Sequence, residues 1–317
     1  MGRASGQPLV SVLIPTRNGS RWLDALLTGL AQQSRPPDEI LVVDSESGDD
    51  SVAIARRHGA RVLSVAAADF DHGATRTMAA QAAVGELLVC CTQDVLPAER
   101  EALARLLAAL DDPAVAVAYG RQLPWPQADF FAAALREFNY GERAELRSLA
   151  DCARLGFRAT FVSNSFAVWR RSALASVGWF PAGLIFGEDA CTVAQLLEAG
   201  QQVAYVPEAR VFHSHNYTTV QEFRRYFDVG VFHRSQAALL ARFGSPAGEG
   251  GRYLRFQVER LHRQGRWLLW PEFLLRNGAR FCGYTLGRRQ ALLPRALARA
   301  CSLNRAWWSR PCETGRS

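Results

Sequence analysis

Apolar runs that alternate with helix-like segments constrain the fold of this chain most. Four runs of strand length lie near its start: Val10–Pro15, Glu39–Asp44, Arg61–Val65 and Leu87–Cys91. Segments with apolar residues at helical spacing separate these runs: Trp22–Gln32, Asp49–Arg57 and Gly73–Val84. Such alternation is typical of right-handed βαβ units and a parallel sheet. The sequence therefore predicts an α/β fold with a Rossmann-like, mostly parallel sheet flanked by helices.

The alternation weakens after Pro113. We expect strand pieces at Val115–Tyr119, Thr160–Val162, Phe166–Trp169 and Val203–Val206, and helices at Phe130–Glu145 and Ala190–Ala199. From Gln221 onward helical spacing dominates, interrupted by the Gly-rich segment Gly244–Gly251. This segment predicts a boundary between a domain of residues 1–243 and a C-terminal helical extension of residues 244–317.

The extension is strongly basic. All 37 basic residues of the chain are arginine, and residues 252–317 hold 14 of them against three acidic residues. Apolar residues at Trp267–Leu275 and Trp307–Trp308 lie among these arginines, which suits an interfacial helix on anionic lipid. A helical subdomain that packs on the first domain or on a second subunit of a homo-oligomer explains the pattern equally well. Nucleic-acid binding is disfavoured, because no recognised module accompanies the charge.

Cysteine usage and hydropathy indicate the compartment. The seven cysteines are an odd number without a CxxC pair, which is typical of reduced thiols in the cytosol. The sequence shows neither a leader with a basic and then an apolar part nor an apolar stretch of about 18 residues. We expect a cytoplasmic protein that associates peripherally, if at all, with the inner face of the membrane.

Polar residues follow the first two strands. The first leads into Pro15-Thr16-Arg17-Asn18-Gly19, and the second ends at Asp44 before Ser45. Because neighbouring strand ends form the ligand crevice of open α/β sheets, a nucleotide site is expected there. The GxGxxG motif of dinucleotide-binding oxidoreductases is absent after the first strand. Asp44 alone is explained equally well as a turn or cap residue.

A third polar segment, Phe70–Arg76, precedes a helix. Backbone amides at that helix start, together with Arg76, could meet a diphosphate. An exposed charge on the helix is the more common role of such an arginine.

Three later clusters suggest metal and acid–base chemistry. The fourth strand ends in Thr92-Gln93-Asp94, and a carboxylate at a strand end suits a divalent cation. His213 and His215 follow a strand-like segment with two-residue spacing, so both point the same way, although loop histidines often show this spacing. Asp189, in Gly187-Glu188-Asp189, precedes a helix and is either an N-cap or a general base.

Taken together, these motifs resemble the inverting glycosyltransferases of family 2, which have the GT-A fold, and within them the bacterial rhamnosyltransferases. The resemblance extends from about Val10 to Trp308. The segments that carry it are Ser11–Asn18, Asp44–Ser47, Phe70–Arg76, Thr92–Asp94, Ser163–Ser165, Glu188–Asp189, His213–Tyr217, Tyr226–Gly230 and Gly283–Gly287.

The resemblance implies a role for each matching residue. The expected nucleotide-sugar ligands are Pro15, Thr16, Arg17, Asn18, Asp44, Arg76, Thr92 and Gln93. Asp94 matches the last carboxylate of the family's DxD motif, which binds Mg²⁺ or Mn²⁺. Because Thr92 replaces the first Asp, we expect a histidine to complete the metal site, His213 before His215.

On the acceptor side, Asp189 matches the catalytic base, with Glu188 beside it, and Asn164 and Trp179 are expected to contact the acceptor. Phe161 and Trp169 could also stack on a sugar, although aromatic residues at such positions are more often core.

The resemblance implies inverting transfer of a deoxyhexose, L-rhamnose from dTDP-β-L-rhamnose, to a hydroxyl of a growing surface glycan or lipid-linked acceptor. One alternative keeps the fold and uses a UDP- or GDP-sugar. The other is a non-catalytic nucleotide-sugar-binding or membrane scaffold protein, against which the acidic pair and the two histidines argue.

Overall fold

A nine-stranded mixed sheet lies at the centre of the first of two compact units. The computed structural model describes residues 7–244 and 248–310. The strands are β1 Val10–Thr16, β2 Glu39–Asp44, β3 Arg61–Ser64, β4 Leu87–Cys91, β5 Leu96–Pro97, β6 Val115–Leu123, β7 Glu145–Arg147, β8 Phe166–Arg170 and β9 Gln202–Phe212. Their order is β3-β2-β1-β4-β8-β6-β9-β5, and β7 pairs with β9 off this path.

The first half of the sheet is parallel, as predicted, and the second half is mixed. Strands β1 to β4 pair in parallel, whereas β8 lies antiparallel between β4 and β6. The helices of this unit are α1 Ser20–Ala31, α2 Ser51–Arg57, α3 His72–Ala82, α4 Ala102–Ala108, α5 Phe130–Asn139, α6 Cys152–Leu155, α7 Arg171–Ser176 and α8 Glu188–Glu198. The α/β class and the helix-flanked sheet are confirmed.

One face of the sheet packs its alternate apolar residues against α1 and α4. Val12, Ile14 and Val89 of the strands share a core with Leu26 of α1 and Leu103 of α4. Burial of these side chains contributes about 25 cal/mol per Å² of apolar surface removed from water. The core holds β1 and β4 side by side, and this places their polar ends together.

Two secondary-structure predictions in the middle of the chain were wrong. The helix expected over Phe130–Glu145 ends at Asn139, because Tyr140 leaves the helical conformation and the Tyr205 hydroxyl donates to the Gly141 carbonyl at 2.6 Å. Thr160–Val162 forms no strand, because the buried Arg147 guanidinium donates a hydrogen bond to the Phe161 carbonyl at 2.7 Å. In both segments, hydrogen bonds to residues distant in sequence determine the backbone conformation, and the local periodicity does not.

The second compact unit combines Leu184–Gly187 with the chain from Asn216 onward. Its helices are α9 Thr219–Ser235, α10 Ala237–Phe243, α11 Glu249–Arg263, α12 Trp270–Arg288 and α13 Arg295–Cys301. The division differs from the domain boundary predicted between residues 243 and 244, because α9 packs along α12. Residues 245–247 of the Gly-rich segment lie outside the described residues. In the part of the chain that the structure describes, no helix is both long and apolar enough to cross a bilayer.

Glycines bring α9 and α12 into close contact. A Cβ added at Gly283 would overlap the Phe223 carbonyl oxygen, and one added at Gly287 would overlap the Phe227 carbonyl oxygen. Because both obstacles are backbone atoms, a larger residue needs movement of a whole helix.

We predict that Gly283→Ala lowers the melting temperature, with a cost of about 1–3 kcal/mol for overpacking. Gly278→Ala is the matched control on the same helix, since open space surrounds Gly278. It should be neutral or stabilising by up to about 1 kcal/mol, because alanine favours helix. Thermal unfolding followed by circular dichroism compares the two, and equal melting temperatures would contradict the packing account.

Candidate functional site

The carboxyl ends of β1, β2 and β4 bring their polar residues together. Thr16 pairs in register with Asp44 at the ends of β1 and β2. The Gln93 side chain, just beyond β4, accepts the Arg17 N–H at 2.9 Å and donates to the Arg17 carbonyl at 3.2 Å. This two-point contact joins the loops after β1 and β4, so the predicted crevice residues are neighbours.

Asn18 shapes the loop after β1. Its φ of 49° lies in the left-handed region that asparagine tolerates. Its N–H donates to Ser47 Oγ at 2.9 Å, and its Oδ1 accepts the Gly48 N–H at 2.9 Å. Asn18 therefore holds the loops after β1 and β2 together.

Asp44 closes a turn and also keeps one carboxylate oxygen without a partner, and its nucleotide contact stays a prediction. Its Oδ2 accepts the Ser47 N–H at 3.1 Å and closes a turn, whereas its Oδ1 is buried without a hydrogen-bond partner. Other site atoms in the same condition are Ser45 Oγ, Arg76 Nε, Thr92 Oγ1 and His213 Nδ1. Because each unpaired buried polar atom costs about 1–3 kcal/mol, a polar partner such as a water molecule or a ligand group at any of these atoms would be stabilising.

The backbone amides at the start of α3 do not have the diphosphate-binding role that the sequence suggested. The Asp71 carboxylate caps the helix by accepting the Gly73 and Ala74 N–H groups, both at 2.9 Å, and it also accepts the Gly183 N–H at 3.1 Å. These amides are therefore not available to a diphosphate, and that part of the prediction was wrong. Arg76 is buried, not an exposed helix charge.

Arg76 forms a buried ion pair with Glu188, the first residue of α8. Nη1 of Arg76 lies 3.0 Å from Glu188 Oε1. The Asn164 amide donates to the same oxygen at 3.2 Å and accepts the indole N–H of the buried Trp169 at 2.9 Å. Burial opposes ionisation of Glu188, but the charges of Arg76 and His72 and the Asn164 hydrogen bond keep its pKa below the usual value. Glu188 is held as a carboxylate.

Asp189 has the opposite electrostatic environment. Its Oδ1 accepts the Ala190 N–H at 2.8 Å, and its Oδ2 accepts the Asn164 backbone N–H at 3.4 Å. Burial, and then the adjacent Glu188 charge, raises the pKa of Asp189 to about 7. Because α8 begins one residue earlier, Asp189 lies within the first turn and is not the N-cap. Two adjacent carboxylates with separated pKa values are typical of an acid–base site.

Asp94 lies between the two predicted histidines. Its Oδ1 is 3.5 Å from His213 Nδ1, and its Oδ2 is 3.5 Å from His215 Nε2. One ligand atom from each of the three residues lies within 4.8 Å of the others. The structure therefore brings both histidines to the carboxylate, and not one alone.

The environment of His213 fits a metal ligand. Its Nε2 is 3.3 Å from Ser165 Oγ, while Nδ1 is buried, has no hydrogen-bond partner and faces Asp94. Burial lowers the pKa of His213 to about 4, so the imidazole is neutral at physiological pH. A neutral ring oriented through its second nitrogen is the usual form of a metal-bound histidine. These three side chains can hold a divalent cation.

The aromatic predictions have mixed outcomes. Trp169 is fully buried and meets Phe180 edge-on, so it is a core residue and not a sugar platform. Phe161 packs against Tyr119 and Tyr140. Trp179 is half-buried in the turn after α7, and its acceptor contact stays a prediction.

Residues 11–178 match the family model described as glycosyl transferase family 2. The chain belongs to this family. It is 37% identical to the O-antigen chain rhamnosyltransferase RfbN of Salmonella typhimurium over 303 residues, which are 95% of this chain and 96% of the relative. It is 36% identical to the O-antigen chain rhamnosyltransferase WbaN of Salmonella anatum, with the same coverage. The resemblance stated from the sequence motifs is confirmed.

Solved structures support the fold of this glycosyltransferase. A mannosyltransferase from Pyrobaculum calidifontis, in complex with GDP-Man and Mn²⁺, aligns with a TM-score of 0.58 and 20% identity over 96% of this chain and 89% of that chain. Staphylococcus aureus TarS 1-349, in complex with UDP-GlcNAc, aligns with a TM-score of 0.53 and 17% identity over 89% of this chain and 92% of that chain. The GT-A-like fold is confirmed.

We predict that Asp94→Asn weakens Mn²⁺ binding at least about tenfold, because it removes the only carboxylate among the three metal-ligand candidates. Electron paramagnetic resonance of free Mn²⁺ measures the affinity. Asp111→Asn, an exposed carboxylate after α4, is the control and should bind as the wild type does. Unchanged affinity in Asp94→Asn would remove these residues as the metal site.

Proposed function

We propose that this glycosyltransferase moves L-rhamnose from dTDP-β-L-rhamnose to a hydroxyl group of a growing surface glycan or a lipid-linked saccharide. Sequence likeness to two enzymes named O-antigen chain rhamnosyltransferases, along nearly the whole chain, supports the sugar and the acceptor class. On this proposal the enzyme works in the cytoplasm and contacts the inner face of the membrane, close to a lipid-linked acceptor.

The observation that carries the chemistry is the unequal pair of adjacent carboxylates. Glu188 stays charged beside Arg76, and Asp189 has a pKa near neutrality. A base of this kind accepts a proton most effectively at physiological pH. Asp189 therefore takes the proton of the acceptor hydroxyl, whose oxygen attacks the anomeric carbon.

Bond making and bond breaking balance in one displacement. The new bond joins the acceptor oxygen to the anomeric carbon, and the bond from that carbon to the diphosphate oxygen breaks with inversion. The electron pair of the broken bond leaves with the nucleoside diphosphate, and the acceptor proton stays on Asp189. The Arg76–Glu188 pair remains charged throughout and keeps the base in place.

The donor side has its own residues. The unpartnered Asp44 Oδ1 accepts from the base or ribose, while Asn18 and Gln93 hold the loops around the nucleotide. Asp94, His213 and His215 would hold Mg²⁺ or Mn²⁺, whose charge would stabilise the departing diphosphate. Two imidazoles beside one carboxylate favour Mn²⁺ over the harder Mg²⁺.

The contacts of Asn164 suggest a role other than the acceptor contact expected from the sequence. Its side chain is buried, accepts the indole N–H of Trp169 and donates to the carboxylate of Glu188. We therefore propose that Asn164 positions the acidic pair, and that the acceptor meets Asp189 itself.

We predict that kcat/KM of the wild-type enzyme rises about tenfold per pH unit below pH 7 and levels above it, because only ionised Asp189 is a base. Asp189→Asn should lower transfer by about 10²–10⁴-fold and abolish this rise. Glu198→Gln, an exposed carboxylate at the other end of α8, is the control. A radiolabelled transfer assay measures the profile, and full activity of Asp189→Asn would exclude it as the base.

We predict that dTDP and dTDP-rhamnose raise the melting temperature more than UDP, GDP or their sugars. A ligand at a hundred times its Kd stabilises by about 2.7 kcal/mol. A thermal-shift series measures this, and Asp44→Asn should reduce the gain because it replaces the unpartnered carboxylate oxygen. A larger shift with UDP or GDP would identify a sugar of that nucleotide as the donor instead. No shift with any nucleotide would overturn the proposal that the protein binds a nucleotide sugar.

A further inference from the structure

One side of α12 is apolar and exposed along several turns. Residues three and four apart share a side of a helix, and this spacing joins Pro271, Leu274, Leu275, Gly278, Phe281 and Cys282. All six are exposed, and the side chains of Leu274, Leu275 and Phe281 are 63%, 63% and 71% exposed. None of the six carries a charge, although the outer face of a helix in a water-soluble unit is normally polar.

The inward side of the same helix carries charges. Arg276 and Arg280 are buried, and both bind the buried carboxylate of Glu222 on α9, with Arg276 Nη1 at 2.9 Å from Oε1. Helix α12 therefore buries two charged side chains together with the apolar Phe273, and it exposes several apolar side chains. This pattern indicates a contact for the outer side that the described chain does not supply.

Large exposed apolar side chains also flank the helix in sequence. Leu268, in the turn before α12, is 95% exposed, and Trp267 beside it is 56% exposed. Leu292, after the helix, is 80% exposed. We define the α12 surface by its large side chains: Trp267, Leu268, Leu274, Leu275, Phe281 and Leu292.

Exposed arginines lie in sequence before this surface and near its end. Arg263 and Arg266 precede it, and Arg288 and Arg289 lie at the C-terminal end of α12, before Leu292. Residues 252–310 hold 13 arginines and only two acidic residues, Glu259 and Glu272, of which Glu272 is paired with Arg276. A second copy docked on this surface would bring like charges together. An anionic bilayer supplies both negative headgroups and a hydrocarbon layer.

We propose that the α12 surface docks on an anionic lipid bilayer, with α12 parallel to the membrane plane. Leu274, Leu275 and Phe281 enter the boundary of the acyl chains, and the arginines at either end meet lipid phosphates. The inference deepens the peripheral-membrane part of the proposed function. Its test needs neither donor nor acceptor, so its failure leaves the transferase proposal standing.

Liposome flotation of the full chain tests the inference. The wild type should float with vesicles of phosphatidylcholine and phosphatidylglycerol, and less with phosphatidylcholine alone or at high salt. The double variant Leu274→Asp/Phe281→Asp should lose at least about tenfold in partitioning, because it places charges at the acyl boundary. Val220→Asp, at a 57% exposed apolar residue at the start of α9, is the matched control and should float as the wild type does.

A second measurement uses a conservative variant. Brominated phosphatidylcholine in the same anionic vesicles should quench wild-type tryptophan fluorescence, and Trp267→Phe should remove most of that quenching. Absence of flotation and quenching in the wild type would overturn the inference. Equal losses in Val220→Asp and the double variant would do so too. A wild-type dimer that the double variant dissociates, without a change in flotation, would assign the surface to a second copy.

Discussion

The buried ion pair between Arg76 and Glu188 is the interaction on which the candidate site depends. Loss of one partner of such a pair costs about 3–5 kcal/mol, because the other charge stays buried without compensation. The pair joins α3 to the first turn of α8. It keeps a negative charge beside Asp189, and this charge adds to burial in raising the pKa of that carboxyl group. The ion pair thus contributes to both the position and the protonation of the proposed base.

A short segment before β8 connects the base to the metal candidates. Asn164 holds Glu188 through its side chain and Asp189 through its backbone N–H, and the next residue, Ser165, lies beside His213. The Thr92 N–H also donates to the Ser165 carbonyl, at 3.4 Å. Because adjacent residues orient the two halves of the site, a shift of this segment should disturb proton transfer and metal binding together.

The sequence predicted those parts of the fold and site that depend on local pattern. The periodicity of β1 to β4 predicted that Thr16 and Asp44 lie at the ends of parallel strands and that Asp94 lies beyond β4, and the structure has this arrangement. The antiparallel insertion of β8 between β4 and β6 has no local signal, since it is chosen by partners distant in sequence.

Contacts that have no local signal in the sequence explain the remaining differences. The sequence favoured an exposed Arg76 because its partner Glu188 lies far along the chain. It left the amides at the start of α3 available to a ligand because it did not show that Asp71 caps them. The Gly-rich segment predicted a domain boundary, and the division into two compact units differs from it because α9 packs on α12. Close approach at Gly283 becomes visible only when both helices are in place.

The titration of Asp189 itself tests the central electrostatic claim most directly. Carbon-13 NMR of aspartate-labelled protein, with Asp189→Asn to assign the signal, follows this carboxyl group. We predict a pKa of about 7 in the wild type and a lower value in Glu188→Gln, where the neighbouring charge is gone. An ordinary aspartate pKa near about 4 in both proteins would contradict the account.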